Sequence, residues 1–429
     1  GNSKDFAMHP IIKPSAIALL VIAGQTHAAG FQLAEQSATG LGRAFAGEAA
    51  IADNASVLSR NAAAMTRFDQ MALSGGVIYV SPDVNIEGNT RLPTKAGIVT
   101  SDASAHDIAA AAWVPNAYLI IPLNEQWRLG FSATSYYGLG VKMPDNYSAG
   151  HFGNVSDIKT MDLGTSLAYR INEMWSIGAG ISAIQGEGEV GGTFPSRNLI
   201  AKHLQGDGWA WGWNVGTLLE LSEQTRIGLS YRHDVTLTLS GDAIVGRPNA
   251  DGSVTEIRDT GSLDLPLPAT AELAAFHQLT DKLALHGSLN WTNWSKFVQL
   301  EADLNNLQNM HIKDEHWEDS WRYAIGMTYQ VTPKWQLRSG VAYDASPVPA
   351  DRRTISIPDA DRLWYSLGMG YQFTPNLTVD LGLTLIDGKK VDVTEKMELQ
   401  PGNPMTTSTF QGTSEGDAWL AGAQLSYLF

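Results

Sequence analysis

The chain has 429 residues, of which 17% are charged, and it contains no cysteine. The absence of cysteine excludes a disulfide framework and thiolate metal sites. The formal net charge of -15 argues against nucleic-acid binding, which needs a basic surface. This length would allow two or three soluble domains, but 42 Gly, 13 Trp and 13 Tyr favour one extended β structure.

The N-terminal region carries the one long apolar run, residues 15–24. This run is too short to cross a bilayer as a helix, which takes about 20 residues. It follows Lys13 and ends in small residues, so it predicts a secretory signal peptide cleaved after Ala28. The alternative, a buried helix of the mature fold, is disfavoured by the charged start and the small-residue end. Residues 1–7 look like an unrelated extension, so residues 1–28 are assigned to extension and signal peptide.

Residues 29–69 form a second region, rich in Ala, Gly and Ser, without strand alternation. Its charges are expected to form a structural network, with Arg43 paired to Glu48 and Asp53 paired to Arg60. This region precedes the first predicted strand.

From residue 70 onward, apolar and polar residues alternate with a period of two, which indicates strands with two different faces. We predict strands at 70–82, 106–122, 125–140, 155–171, 172–190, 208–222, 223–242, 260–276, 279–303, 313–331, 334–346, 361–374, 375–390 and 415–429. The last strand ends on the aromatic Phe429, which resembles the signal read by the outer-membrane barrel-insertion machinery.

A short turn motif recurs six times between these strands. Each copy has a small polar residue whose side chain can hydrogen-bond the local backbone and so start a tight turn. These residues are Asn124, Asn172, Ser222, Thr280, Thr332 and Thr374. Longer connections alternate with the short turns, which is typical of outer-membrane barrels.

The predicted fold is therefore all-β, a 14-stranded antiparallel transmembrane β-barrel over residues 70–429. An even strand number places both termini on one side, expected to be the periplasm. Such a barrel is wider than an eight-stranded one, whose side chains just fill the interior. Residues 29–69 are therefore predicted to plug the lumen.

Several segments resemble the FadL family, long-chain fatty acid transporters of Gram-negative outer membranes. They are residues 29–33 (AGFQL), 40–48 (GLGRAFAGE), 50–54 (AIADN), 59–61 (SRN), 79–86 (YVSPDVNI), 113–116 (WVPN), 346–350 (SPVPA), 355–359 (ISIPD) and 361–362 (DR). The family fold is a 14-stranded barrel with an N-terminal plug. The resemblance implies passive uptake: an apolar ligand binds in a pocket inside the barrel, the plug rearranges, and the ligand leaves sideways into the membrane.

The resemblance also implies site residues. Phe31 would insert into the ligand pocket with Gln32 and Leu33 beside it, and a kink in the third strand at Gly138 and Gly140 would open the wall. Plug and gating roles are assigned to Arg43, Glu48, Asp53, Arg60, Asn61, Gly138 and Gly140.

Two departures from the family pattern concern the plug and the pocket. The family's Asn-Pro-Ala motif begins here at Asn61 but lacks the proline. Positions where the family has basic pocket residues hold glycines at 191–192 and Glu318. The nearest basic candidates are Arg197 and Lys313. A carboxylate head group needs such a cation, because an unpaired buried charge is costly.

The expected function is passive transport of long-chain fatty acids or related hydrophobic compounds, without enzyme activity, cofactor or metal. Uptake of aromatic or alkane hydrocarbons is the alternative that the altered pocket charges leave open. A lipid hydrolase using Ser414, within a G-x-S-x-G match, and an open porin are further hypotheses. Expected partners are the hydrophobic ligand, outer-membrane lipid and lipopolysaccharide, and the insertion machinery, and the barrel is expected to be a monomer.

Overall fold

The computed structural model describes residues 30–429, so the predicted signal peptide and extension, residues 1–28, lie outside the described residues. One antiparallel sheet of 21 segments closes into a 14-stranded β-barrel, which confirms the predicted fold class. The barrel closes because the first segment pairs along its length with the last, from Ala72 opposite Leu428 to Arg91 opposite Thr409. Among the described residues, no helix is long and apolar enough to cross a membrane.

The strand segments are numbered in chain order. They are β1 Ala72–Thr94, β2 Gly97–Asp102, β3 Ala112–Pro122, β4 Trp127–Thr134, β5 Gly138–Lys142, β6 Val155–Arg170, β7 Trp175–Thr193, β8 Ile200–Glu220, β9 Thr225–Arg232, β10 Val235–Pro248, β11 Val254–Leu267, β12 Thr270–Gln278, β13 Leu283–Thr292, β14 Gln299–Leu304, β15 Met310–Asp314, β16 Ser320–Gln330, β17 Trp335–Asp344, β18 Arg362–Gln372, β19 Leu377–Gly388, β20 Val391–Glu398 and β21 Thr407–Leu428. Segments outnumber barrel strands because several strands are interrupted. The third strand comprises β4 and β5, the seventh β9 and β10, and the eighth β11 and β12.

The helical elements are short. They are α1 Ala38–Leu41, α2 Glu48–Ile51 and the 3-10 segments Ala55–Ser59, Ala62–Arg67, Gly150–Phe152, Trp294–Lys296, Ala350–Arg352 and Pro404–Thr406.

The short turns have the predicted chemistry. In the first of them, the Asn124 side chain accepts hydrogen bonds from the backbone N–H groups of Gln126 at 2.9 Å and Trp127 at 2.8 Å. The other five residues of the motif make the same pair of bonds with the second and third residues after them. The recurring motif therefore does build the tight turns at one end of the barrel.

The largest differences between predicted and observed strand starts are at two strands, which begin eight residues early. The sixth strand, predicted from residue 208, begins at Ile200, and the last, predicted from 415, begins at Thr407. These added parts belong to hairpins at the long-loop end and carry polar residues on both faces. Alternation of polarity, the signal used for the prediction, is therefore missing there. The predicted connection at 391–414 also contains β20, which pairs with β21.

Residues 30–68 lie inside the barrel, and most of their side chains are buried. Helix α1 packs against β18, β19 and β21, and α2 packs against β9 and β12. The 3-10 segment Ala62–Arg67 contacts β4, β6, β7 and β8. Since these strands lie on different sides of the wall, the segment occupies the lumen across its width.

Arginines of the barrel wall hold the backbone of this lumenal segment. Each donates from its guanidinium to carbonyl oxygens that the short helices leave unpaired. The bonds are Arg128 to Phe68 at 2.6 Å, Arg170 to Thr66 at 2.8 Å, Arg226 to Ala50 and Ile51 at 2.6 Å each, and Arg322 to Ala44 at 2.8 Å. Residues 44–68 are thus fixed to the wall at several points.

One of the two predicted ion pairs within this segment is wrong. Arg43 pairs with Glu48 at 2.7 Å, as predicted, but it also pairs with Asp53 at 2.6 Å. Arg60 instead reaches Glu272 of the barrel wall at 2.9 Å. Burial would raise the pKa of Asp53, but the Arg43 guanidinium outweighs burial and holds this pKa well below its usual range. With Asp53 already paired, Arg60 is available to tie the segment to the wall.

The lumenal segment approaches the wall too closely for a side chain at Gly340. A Cβ atom there would lie 2.2 Å from the Arg43 carbonyl oxygen, far inside contact distance, and that oxygen belongs to backbone that cannot rotate away. The absence of a side chain at Gly340 therefore sets the position of the segment.

We expect Gly340→Ala to destabilise the folded barrel by about 1–3 kcal/mol, because overpacking forces backbone shifts. Gly75→Ala is the matched control on another strand, since its Cβ would meet nothing closer than 3.6 Å. The measurement is thermal unfolding in detergent. Equal midpoints for the two variants would contradict the close approach.

Candidate functional site

The barrel wall has a gap at the interruption of the third strand. β4 pairs with β3 only from Pro122 opposite Arg128 to Ala117 opposite Ala133. β5 pairs with β6, the strand on the side away from β3. Within residues 30–429, no strand ladder joins β3 to β5. Residues 112–116 of β3 and residues 134–138 therefore face each other without sheet pairing. Gly138 is the first residue of β5, and Gly140 lies in its middle.

The first described residues cover this gap from inside. Residues 31–33 run antiparallel to residues 136–138, with Gln32 opposite Tyr137 as an isolated bridge. Gly138 N–H donates to the Phe31 carbonyl at 2.9 Å, and Leu33 N–H donates to the Tyr136 carbonyl at 2.7 Å. The N-terminal segment thus supplies backbone partners that the neighbouring strand does not.

The Phe31 side chain points into an aromatic cluster and is fully buried. Its ring centroid lies 4.7 Å from that of Trp294, 5.5 Å from Phe297, 5.9 Å from Tyr137 and 6.1 Å from Trp317. The preceding Gly30 has φ of +64°, and a Cβ there would lie 2.6 Å from Trp317. Only glycine lets the chain enter this cluster.

A cavity adjoins Phe31, and we call it the Phe31 pocket. Its lining side chains pack closely, and only about 30 Å³ of the cavity is open to a molecule the size of water, so a larger ligand needs the lining to move. Most of its wall is apolar: Leu139, Phe152, Ile158, Leu204, Leu239, Leu263, Leu265, Phe297 and Leu300. Such a lining suits an apolar ligand, which gains roughly 0.8 kcal/mol per buried methylene.

One part of the Phe31 pocket is charged. Lys202, Lys313 and Ser356 line it. Lys313 Nζ donates to Ser356 Oγ and lies 3.8 Å from a carboxylate oxygen of Glu395. The ammonium of Lys202 has no carboxylate within ion-pair distance among the described residues. Glu189 also lines the pocket and lies 2.8 Å from His203. An anionic group in the pocket would therefore meet two ammonium groups and two half-buried carboxylates, Glu189 and Glu395.

The two basic residues predicted for the ligand lie in different places. Lys313 lines the Phe31 pocket. Arg197 is exposed in a loop, where its guanidinium donates to the Gly252 carbonyl at 2.6 Å, and it does not line the pocket. Of the other predicted ligand residues, Leu33 is buried and Gln32 accepts a hydrogen bond from Thr292.

Lys202 is the pocket residue that sequence reasoning missed. It lies directly opposite Gly192 in the ladder between β7 and β8. Antiparallel residues opposite each other project to the same face, so a cation absent at 191–192 is supplied from the neighbouring strand. Pairing the predicted strands through residues 191–207 would have revealed this candidate.

Asn61 makes its local bend without the family's proline. Its side-chain oxygen accepts from Ala63 N–H at 3.1 Å, and its amide donates to the carbonyls of Ala49 and Thr217. One side chain thus caps a 3-10 segment and joins two parts of the lumenal segment to the wall.

Glu35 is buried completely, and one of its carboxyl oxygens has no hydrogen-bond partner among the described residues. Burial raises the pKa of Glu35 to about 7, although Ala34 N–H donates to its other oxygen. A charged Glu35 therefore destabilises the arrangement in which residues 31–33 pair with residues 136–138 across the gap.

The G-x-S-x-G match lacks the context of a nucleophile. Ser414 lies in the middle of β21, opposite Ile86 on one side and Val391 on the other. A nucleophile elbow needs a turn between a strand and a helix, whereas this serine lies in a continuous ladder.

Comparison with known proteins places the chain in one group. The family model described as "Outer membrane protein transport protein (OMPP1/FadL/TodX)" matches residues 19–429. A long-chain fatty acid transport protein of Escherichia coli strain CFT073 is 39% identical, over 96% of this chain and 97% of that protein.

Solved structures share the fold. A Pseudomonas aeruginosa FadL homologue superposes with a TM-score of 0.83 at 23% identity, over 94% of this chain and 100% of that one. The Pseudomonas putida toluene transporter TodX gives a TM-score of 0.69 at 16% identity, over 88% of this chain and 94% of that one.

We expect the pairing of residues 31–33 with the third strand to weaken as pH rises from about 5 to 8. The pKa of Glu35 is about 7 when buried against an ordinary 4.5. Protonated Glu35 therefore favours the covered state, and this stability is lost as pH rises through 7, by up to about 3 kcal/mol.

Hydrogen exchange of the Leu33 amide measures this pairing, with the Leu41 amide, bonded to the Ser37 carbonyl, as internal reference. The ratio of the two rates should rise with pH in the natural chain and stay flat in Glu35→Gln. A ratio independent of pH in both proteins would contradict the expectation.

Proposed function

The chain belongs to the OMPP1/FadL/TodX family of outer membrane transport proteins, and we propose that it takes up long-chain fatty acids. Its place is the outer membrane, and it is a transport protein rather than an enzyme. The short-turn end, which carries the C-terminus, would face the periplasm. Residues 29–69 act as the plug in this proposal, and residues 70–429 act as the barrel.

The Phe31 pocket supports a fatty acid as ligand. Its apolar wall would take the acyl chain, and Lys202 and Lys313 would take the carboxylate. A buried carboxylate needs such partners, because an unpaired buried charge is costly. The Escherichia coli relative at 39% identity is named as a long-chain fatty acid transport protein. Phe31, Gln32 and Leu33 would contact or border the ligand.

A second candidate ligand is an uncharged hydrocarbon. Glu395 lies near Lys313 and offsets its charge, which lowers the need for an anionic ligand. The toluene transporter shares the fold, although likeness at this identity supports the fold alone. Lys202, whose ammonium donates to the His311 carbonyl at 3.4 Å but has no carboxylate within ion-pair distance among the described residues, favours the fatty acid.

One observation carries the proposed mechanism: residues 31–33 pair with the third strand at its gap, and the first of them, Phe31, also lines the Phe31 pocket. Withdrawal of this segment would remove Phe31 from the pocket and uncover the gap together. A ligand could then pass sideways into the membrane, with Gly138 and Gly140 at the edge of the opening.

The body of the plug would stay in place during this step. Arg43, Glu48 and Asp53 form a buried ion-pair cluster within it, Asn61 and Arg60 tie it to the wall, and wall arginines hold its carbonyls. Transport then needs only a local rearrangement before residue 38, and no energy source beyond the ligand gradient.

We expect Lys202→Met and Lys313→Met each to weaken binding of oleate by roughly ten- to hundredfold. Hydrogen bonds to charged groups contribute about 1.5–3 kcal/mol. Methyl oleate should bind all variants alike, because it has no charge to pair. Arg197→Met is the matched control and should leave oleate binding unchanged.

Binding to purified protein by calorimetry tests this. Unchanged oleate affinity in the Lys202 and Lys313 variants, together with toluene binding by the natural chain, would instead favour the hydrocarbon.

A disulfide between residues 32 and 137 should stop transport. Opposite residues of antiparallel chains lie at Cα distances that suit a disulfide, and the chain has no other cysteine. Gln32→Cys with Tyr137→Cys should abolish oleate uptake by cells when oxidised and restore it when reduced. The control pair Ala324→Cys with Ala342→Cys, in the ladder between β16 and β17, should transport in both states. Undiminished uptake by the oxidised 32–137 protein would refute withdrawal of the segment.

A further inference from the structure

The barrel wall has a second break in its ladder, between the sixth strand, β8, and the seventh. Residues 214–220 of β8 pair with β9, and residues 202–207 pair with β10. Between these two ladders, the described structure contains no strand pairing of residues 208–213 with residues 233–239. One backbone hydrogen bond, from His233 N–H to the Trp213 carbonyl at 3.0 Å, lies at the end of this break next to β9. We call this break the seam.

The seam arises from a mismatch of one residue. The unpaired stretch of the seventh strand, 233–239, is one residue longer than that of β8, 208–213. A shift of one residue exchanges the two faces of a strand. Accordingly the inward residues are even-numbered in β9, such as Arg226, and odd-numbered in β10, where Leu237 and Leu239 are buried.

At the seam, β10 packs against the inner face of β7 and β8, at positions where those two strands have glycines. A Cβ atom would lie 2.3 Å from Leu237 at Gly186, 2.5 Å from Leu239 at Gly188 and 2.0 Å from the Thr238 carbonyl oxygen at Gly208. The wall is therefore closed here by apolar contact with bare backbone. Such contacts are not directional, unlike a hydrogen-bonded ladder.

The seam separates the Phe31 pocket from the membrane side of the wall. Gly188, Gly206, Leu204 and Leu239 line the pocket on this side. On the outside, the unpaired stretch of β8 exposes three aromatic residues to a wall face that would meet lipid: Trp209 at 42%, Trp211 at 76% and Trp213 at 43% exposure. Tryptophan is favoured at the membrane interface.

β10 and β11 form a hairpin that pairs with both neighbouring strands, residues 240–245 with β8 and residues 261–263 with β14. β10 and β11 pair with each other continuously, from Val235 opposite Leu267 to Pro248 opposite Val254. Both strands are interrupted at the same level, at 233–234 and 268–269, so the hairpin joins the lower wall through two short links. Tyr137, in the third-strand gap, donates to the Pro268 carbonyl at 2.8 Å. The link is thus in contact with the residue that Gln32 covers.

We propose that the seam is a second lateral opening, through which a hydrophobic ligand leaves the Phe31 pocket. Residues 233–239 bend away from residues 208–213, while the ladder of residues 202–207 with β10 stays paired, and this exposes the pocket to the membrane beside Trp209, Trp211 and Trp213. This inference rests on the proposed function, since it takes the pocket as the ligand site and takes withdrawal of Phe31 as the step that frees the ligand for either exit. Opening separates leucine side chains from glycines and leaves the ladders above and below intact.

Cross-linking the seam tests the proposal. Trp211→Cys with Thr236→Cys places two thiols on the exposed outer faces of the two strands, in a chain without other cysteine. After reaction with a short bifunctional maleimide, oleate uptake by cells should fall to about half if the two exits carry comparable flux. The same variant without cross-linker is its own control for folding.

A wedge in the seam should act in the opposite direction. The Cβ of Gly208→Ala would displace the Thr238 carbonyl, so oleate uptake should rise. Gly75→Ala, whose Cβ has room, should leave uptake unchanged.

The 32–137 disulfide distinguishes failure of the proposed mechanism, withdrawal of residues 31–33, from failure of the seam as a second opening. If it stops uptake while seam cross-linking and Gly208→Ala change nothing, the proposed function stands and the second opening is refuted. If the disulfide leaves uptake intact, withdrawal of the N-terminal segment is refuted. A fall on cross-linking with a rise for Gly208→Ala supports the seam as an exit.

Discussion

The backbone pairing between residues 31–33 and residues 136–138 is the interaction on which the site depends. A sheet inside a membrane cannot leave N–H and C=O groups unpaired, because no water is there to bond them. The gap in the third strand creates such groups. The chain pairs some of them from within, with its own N-terminal segment. Integrity of the wall and occupancy of the Phe31 pocket are therefore coupled through the same few hydrogen bonds.

The lumenal segment has a strongly held part and a weakly held part. Wall arginines hold residues 44–68 through charge-assisted hydrogen bonds, which are about twice as strong as neutral ones. Before residue 38, no wall arginine bonds the described backbone. The hold there consists of neutral backbone bonds, apolar contacts of Phe31, a few neutral side-chain bonds, and bonds from Arg60 of the segment itself to the Ala34 carbonyl and the Gln36 side chain, each at 2.9 Å. Buried Glu35, with one unpaired oxygen, works against them. This contrast suits a reversible cover on a fixed support.

The sequence predicted the barrel well, because the signals for it are local. Turn residues such as Asn124 and Thr374 act on backbone groups two or three positions away, and alternation reports the two faces of a strand. Phe31 could be placed by resemblance because the residues around it match a family motif. These features need no knowledge of how strands pair.

The features that the sequence did not predict depend on pairing between distant residues. Lys202 reaches the pocket because it lies opposite Gly192, and Arg60 meets Glu272, far along the chain. The seam depends on a difference of one residue between two unpaired stretches. Strand boundaries read from alternation are uncertain by more than that, so a single-residue mismatch is invisible in one sequence.

A structure of the protein with oleate bound in the Phe31 pocket tests the central claim most directly. The account predicts that residues 31–33 have left residues 136–138 and that Phe31 has left its aromatic cluster, while residues 38–68 keep their bonds to the wall arginines. Oleate in the pocket with the 31–33 pairing intact would contradict it, because pocket and wall would then open independently.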